Sequence, residues 1–251
     1  MADPLHDSRY SVEHAKRRIR ELEGEITVFN KTNPCARVLE RDPNTTEYVH
    51  KIKLVKPLPV ALSGIAFDAV TNLRSALDQA GFAVAVAAGK KRKHAHFPFG
   101  DTLAEVQSRA GGASKDIPKE IFDAMVAAKP HKGGNDLLWA LNKLCNTNKH
   151  EIIIPMGMAS GGFVMARGAM KGPLKISAPR WDSAKNEVEY LRTGPTTVAD
   201  INCQFTFYVA IGKIEIMEGQ TALTVLNAMA GEVERVLMAI EAEARRVGLF
   251  S

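Results

Sequence analysis

No apolar run in this sequence is long enough to cross a bilayer. The longest uninterrupted one lies at Phe82–Ala88, far short of the ~20 residues a spanning helix needs. Cysteine is scarce. The three present, Cys35, Cys145 and Cys203, stand far apart, which excludes both a disulfide framework and a zinc finger and leaves reduced, buried thiols as the expectation. Aromatic residues make up 6% of the chain, and Trp139 and Trp181 are the only tryptophans. Their isolation argues against a base-stacking platform. There is no GxxxxGK[ST] phosphate loop, no dinucleotide fingerprint and no GxSxG elbow; Ser63-Gly64 lacks the preceding glycine. Residues Met1–Asp7 show no basic cluster followed by an apolar stretch, so a secretory leader is not expected and the cytoplasm is.

What remains is an ordinary globular composition. The chain has 251 residues, 45% hydrophobic and 24% charged. That is enough to bury a core without staples. Its net charge of +5 favours encounters with phosphate-rich partners without requiring them.

Apolar spacing predicts a first helix over Ser8–Glu23, stopped by Gly24, and then a strand over Glu25–Phe29. Asn30–Asn44 reads as a loop and Glu47–Val55 as a strand. Pro59–Ala88 carries a continuous stripe from Leu62 to Val84 and ends at Gly89. Short helices follow at Asp101–Arg109, with an acidic cap, and at Ile117–Lys129. Asn135 caps a helix over Asn135–Asn146. After His150 the pattern turns to strands: Glu151–Met158 and Phe163–Gly168 around an Ala159–Gly162 hairpin turn, then Leu174–Ser177, Glu187–Leu191 and Cys203–Ile211. A long helix over Glu215–Val247 closes the chain. There is no repeat and no regular βαβ alternation. The expected fold is therefore α+β. It is one domain over 1–251, with a helical portion at about 57–150 and a β-rich portion at about 151–212. The antiparallel sheet is expected mainly from the C-terminal half, with a closing helix at about 215–247.

Two polar faces are candidates for chemistry. Arg74 and Asp78 are four residues apart on one helix, so they share a face and can pair. Such a pair is either a plain surface ion pair or an arginine held ready for an anion. If the second helix runs on, Lys143, Asn146 and His150 stack opposite its leucines. That face could bind phosphate or move a proton. Equally, it could be a helix C-terminus whose basic groups meet the dipole. His94 and His96 lack a carboxylate spaced to complete a metal site, so no metal or other cofactor is expected. Lys90–His96 reads as an exposed basic loop, its charge concentrated in the run Lys90–His94.

A resemblance gathers these pieces. Leu58-Pro59, Asn72–Asp78, Phe97-Pro98-Phe99, Lys129-Pro130, Leu138-Trp139, Asn146 and Asn148-Lys149-His150 follow the order of a group of bacterial proteins with an NLRxALDH … FPI … QP … LxxLxNxxKH layout. The resemblance spans about 47–154. Such proteins are similar in helical pattern to the HEPN superfamily. Many HEPN members are metal-independent ribonucleases of defence and toxin–antitoxin systems, using an arginine and a histidine four to six residues apart across a homodimer. The resemblance implies Arg74 as that arginine. It places the histidine at position 79, where this chain has Gln79. A glutamine cannot titrate. The resemblance thus implies one of two functions. The first is a non-catalytic nucleic-acid- or ligand-binding module. The second is a ribonuclease in which His150 moves the proton and Arg74 and Lys149 stabilise charge. Asp78, Gln79, Lys143, Asn146, Asn148 and Lys149 are the expected binding residues, and RNA or another phosphate-bearing ligand the expected partner.

Overall fold

The computed structural model describes residues 3–147, 156–176, 181–212 and 220–251. Among these residues it is an α+β fold of six α-helices and two antiparallel sheets.

Helix α1 covers His6–Lys31 and α2 covers Val60–Ala87. Between them lie strands β1 (Cys35–Arg41) and β2 (Tyr48–Leu54). Helices α3 (Leu103–Ser108), α4 (Lys119–Ala127) and α5 (Asp136–Thr147) follow. Strands β3 (Met156–Lys171), β4 (Leu174–Ile176), β5 (Trp181–Asp182), β6 (Glu187–Thr193) and β7 (Val198–Ile211) lead to α6 (Ala222–Arg246).

The apolar stripe of α2 does what its spacing predicts. Leu62, Ala66, Leu73, Leu77, Ala80 and Val84 are all fully buried. Pro59 sits at its N-cap, and Gly89 follows its end at φ +71°. Helices α1 and α6 pack along it. Ser11 bonds Gln79 and Arg18 pairs with Asp68, so α1 and α2 run antiparallel. Arg9 with Glu241 and Lys16 with Glu234 tie α1 to α6 in the same antiparallel sense.

Several expectations are corrected. Gly24 does not stop α1, and Glu25–Phe29 is helix, not strand. Leu22, Ile26 and Phe29 continue the stripe begun by Val12, Ala15 and Ile19, and all are buried. A mid-helix glycine costs about 1 kcal/mol. Burying Ile26 and Phe29 is worth roughly 1.5–3 kcal/mol each, so packing wins. Part of the expected Asn30–Asn44 loop is strand β1. Helix α3 is capped by the Thr102 hydroxyl, which accepts from the Glu105 N–H at 3.2 Å, and not by Asp101. Asn135 caps α5 as expected, its Oδ1 accepting from the Leu138 N–H. Helix α6 starts later than expected, at a Thr221 cap; residues 215–219 lie outside the described ones.

There is no hairpin at Ala159–Gly162. Strand β3 runs straight through and pairs along its length with β7. The register shifts between Ser160 and Gly162, so the glycines serve a bulge, a role they fill as readily as a turn.

The larger sheet has the order β1-β2-β6-β4, with β5 also on β6. It therefore draws on the N-terminal strands as well as the C-terminal half. Ile52, Val188, Tyr190 and Leu191 form its small core. The rings of Tyr190, Phe205, Phe207 and Trp181 meet edge-on or stacked between the two sheets, so Trp181 is not isolated.

Candidate functional site

Arg74 and Asp78 pair as their spacing predicts. The Arg74 Nη1 lies 2.6 Å from Asp78 Oδ2. Two further contacts close the guanidinium in, and a third holds its carboxylate neighbour. Its carbon stands 4.2 Å from the centre of the Phe99 ring, within cation–π range. Its Nε donates to Asn142 Oδ1 on α5 at 3.4 Å. The other carboxylate oxygen of Asp78 accepts from the Phe97 N–H at 2.9 Å.

Phe97 and Phe99 belong to a strap, His94–Gly100, that crosses α2. Both rings are buried and lie 4.8 Å apart. The crossing is close: a Cβ on Gly81 would lie 2.1 Å from the Ala95 carbonyl oxygen. Only glycine admits the strap there. The strap is tied on its other side by Ser114 Oγ donating to His96 O at 2.7 Å and by Arg109 Nε donating to Phe99 O at 3.1 Å.

His96 was read from sequence as part of a basic loop. It reaches this cluster instead, its Nδ1 3.6 Å from Asp78 Oδ2 and its ring edge-on to Phe82. Phe99, Asn142 and His96 were all missed as site residues. The Phe97-Pro98-Phe99 motif was the only local signal, and it did not say which helix the strap would cross.

Lys143 does not share the Arg74 cluster. One position further round α5 than Asn142, its ammonium bonds Asp101 at 3.0 Å. The Trp139 indole N–H donates to the same carboxylate at 2.8 Å. Those two donors, the indole first, hold the Asp101 carboxyl below its usual range. The Lys132 and Lys143 ammonium groups both lie over the Trp139 ring, so this tryptophan too is engaged. Asn146 is exposed on α5. Asn148, Lys149 and His150 lie outside the described residues.

Gln79 turns away from Arg74, as five residues of helix require. Its Oε1 accepts from Ser11 Oγ on α1 at 2.9 Å. It also opens onto a cleft of about 380 Å³ beside Phe82, Arg92 and Phe250.

No protein-family model, curated protein or solved structure matches this chain. The HEPN-like resemblance therefore rests on the residues alone.

Among the described residues, no group of three or more His, Cys, Asp or Glu side chains is arranged to hold a metal ion. No helix among them is long and apolar enough to cross a membrane. Burial pushes the Cys35 thiol up, away from the reactive thiolate. A second concavity of about 300 Å³ lies over the larger sheet, and most of its charges are engaged with each other. Arg192 pairs with Asp42 and Glu189, and Lys51 with Glu40 and Glu187.

Proposed function

We propose that this chain is a non-catalytic binding module on a HEPN-like helical scaffold, with RNA or another phosphate-bearing ligand as its partner. The crowding of Arg74 carries this reading, although its Nη1 is buried without a hydrogen-bond acceptor. Asp78, Asn142 and the Phe99 ring already occupy the guanidinium. An entering phosphate would have to compete with a carboxylate fixed one turn away on the same helix, and like charges repel. Gln79, at the position where the resembled proteins carry histidine, offers no proton and is held by Ser11. The cations that favour a phosphate partner are elsewhere: Lys90, Lys91, Arg92 and Lys93 are all exposed.

The test is to mix the protein with total RNA in EDTA. The expected result is retention at low salt that falls steeply as salt rises, with no new cleavage products. Absence of retention would overturn the reading. So would cleavage that disappears in a normally folded Arg74→Ala variant.

One observation favours a second reading, a metal-independent ribonuclease of defence or toxin–antitoxin type. His96 puts an imidazole beside Asp78 and Arg74, with 44% of its side chain exposed. In that reading Asp78 orients the ring, His96 takes the proton of a ribose 2′-hydroxyl, and Arg74 stabilises charge on the phosphate. Cleavage abolished by His96→Ala and kept by Lys143→Ala would select it.

A further inference from the structure

The larger sheet carries an exposed apolar strip on one face, and the register lays it out. Leu39 on β1, His50 on β2, Leu191 on β6 and Ile176 on β4 stand opposite one another in one row. Arg41, Tyr48, Thr193 and Leu174 form the next row. Residues paired directly across strands put their side chains on the same face. Leu39, Tyr48, Leu174 and Ile176 are all exposed, Leu39 at 58% and Ile176 at 55%. Further along this face Ile52, Val188 and Tyr190 pack against Phe205 and Phe207 of β7. The strip is the end of the face beyond those rings.

One side of the strip is β1, the edge strand of the sheet. The Val55 N–H donates to Pro34 O at 2.8 Å, and the Asp42 N–H donates to Glu47 O at 2.9 Å. Between these two pairs the register runs without a shift. Hydrogen-bonded pairs alternate along an antiparallel ladder, so Ala36, Val38 and Glu40 also turn their backbone groups to β2. Arg37, Leu39 and Arg41 turn theirs outward. Among the described residues, no strand pairs with β1 on that side. The residues that offer open backbone groups are thus the same ones whose side chains border the strip.

The border is cationic. Arg41 is exposed, and among the described residues no carboxylate pairs with it. Arg37 is exposed as well and stands over the Phe205 ring. The carboxylates near this edge belong to the opposite face and are engaged there. Glu40 pairs with Lys51, and Asp42, Glu47 and Glu189 pair with Arg192.

We infer that β1 takes an extended, acidic segment of a partner protein as an added antiparallel strand. The partner's backbone pairs with the outward N–H and C=O groups of Arg37, Leu39 and Arg41. Its alternate side chains set a carboxylate against Arg41 and, two residues on, an apolar group against Leu39 and the strip. In strand addition of this kind the main chain supplies affinity and the alternate side chains supply specificity. A second copy of this chain fits worse. An antiparallel pair of β1 strands gathers Arg37 and Arg41 from both copies on one face with no carboxylate from either strand, and like charges across a sheet repel. Charges on an edge strand ordinarily discourage pairing. Here they also choose the strand that is admitted. This edge belongs to the sheet and not to the helical scaffold, so the inference does not rest on the RNA reading above.

The experiment is fluorescence anisotropy of the full chain with a labelled synthetic peptide. The probe carries glutamate, valine and glutamate at alternate positions, with threonine between and around them. One sister peptide has lysine in place of both glutamates. Another has an N-methyl group on the valine nitrogen, which removes the N–H that an added strand donates. The glutamate peptide is expected to bind saturably, and both sister peptides should bind roughly fivefold more weakly or worse. Arg41→Glu should weaken the glutamate peptide about fivefold and strengthen the lysine peptide, the scale of a cross-strand charge pair. Lys143→Ala should change nothing. Equal binding of the glutamate and lysine peptides would overturn the charge selection. Equal binding of the N-methyl peptide would overturn strand addition. Failure of every peptide to bind would overturn the inference outright. Dimerisation of the unchanged protein in sedimentation, lost on Leu39→Asp, would give the edge to a second copy instead. RNA retention lost on Arg41→Glu, with no peptide bound, would give the arginines to nucleic acid and overturn the acidic partner.

Discussion

Helix α2 presents two polar faces five residues apart, and they have opposite fates. On one, Arg74 and Asp78 are covered by the strap and joined by Asn142, Phe97 and Phe99. On the other, Gln79 and Phe82 open onto a cleft that also holds the exposed Arg92 and the unpartnered Ser8 hydroxyl. The charged face is the one a motif search selects. It is also the one whose charge is already used to hold the fold. A charged residue in a motif is therefore weak evidence for a ligand until its partners are known. Each face keeps one buried polar atom without a hydrogen-bond partner, the Arg74 Nη1 on the first and the Ser8 hydroxyl on the second.

That contrast can be broken at the strap. Phe99 is 5% exposed and supports both Phe97 and Arg74. Phe99→Ala should destabilise the protein by roughly 3–5 kcal/mol, the usual cost of emptying an aromatic core site, as read from urea unfolding. A loss below ~1 kcal/mol would mean that the strap does not hold the face shut. Gly81→Ala puts a methyl group against the Ala95 carbonyl and should cost about 2–3 kcal/mol by overpacking. The same melts should show it.

A smaller effect concerns Asp101. Its folded carboxyl is held below the usual range by Trp139 and then Lys143. A lowered folded value stabilises above the unfolded pKa of ~3.9 and is lost as pH falls through the folded value. Trp139→Phe should therefore flatten the acid limb of the stability curve below about pH 4. Since Asp101 is 55% exposed, screening keeps the difference under ~0.5 kcal/mol. Thermal melts between pH 2 and pH 6 would measure it. The smallest expected effect is none. Gln79→His gives the arginine–histidine spacing of the resembled proteins, but position 79 faces Ser11 and the cleft. No gain of RNA cleavage in EDTA is expected. A clear gain would show that the two faces cooperate after all.

Helices α2 and α6 were legible because a single periodicity runs through each, Leu62 to Val84 in α2 and Leu223 to Ile240 in α6; the ends of α2 coincide with Pro59 and Gly89, whereas the Thr221 start of α6 and the second half of α1 were not foreseen. Strand β1 was not legible. It is an edge strand whose residues are mostly solvent-facing, so no alternation marks it, and it lies between Pro34 and Pro43. Gly24 and the glycines near Gly161 were misread because glycine permits a turn without requiring one. At the site, the Arg74–Asp78 pair followed from four-residue spacing. The partners that decide its meaning, Phe99, His96 and Asn142, come from other segments. No local pattern carries contacts of that separation.

The larger sheet sets a schedule for synthesis. Ile52 on β2 pairs with Val188 on β6, 136 positions later. At ~5–20 residues per second, a growing chain completes β2 about 7–27 s before β6 exists. Through that interval the β1–β2 hairpin leaves the ribosome with an open strand edge and an unburied Ile52. Two strands alone are marginal in water, and an open edge can pair with another chain until β6 covers it.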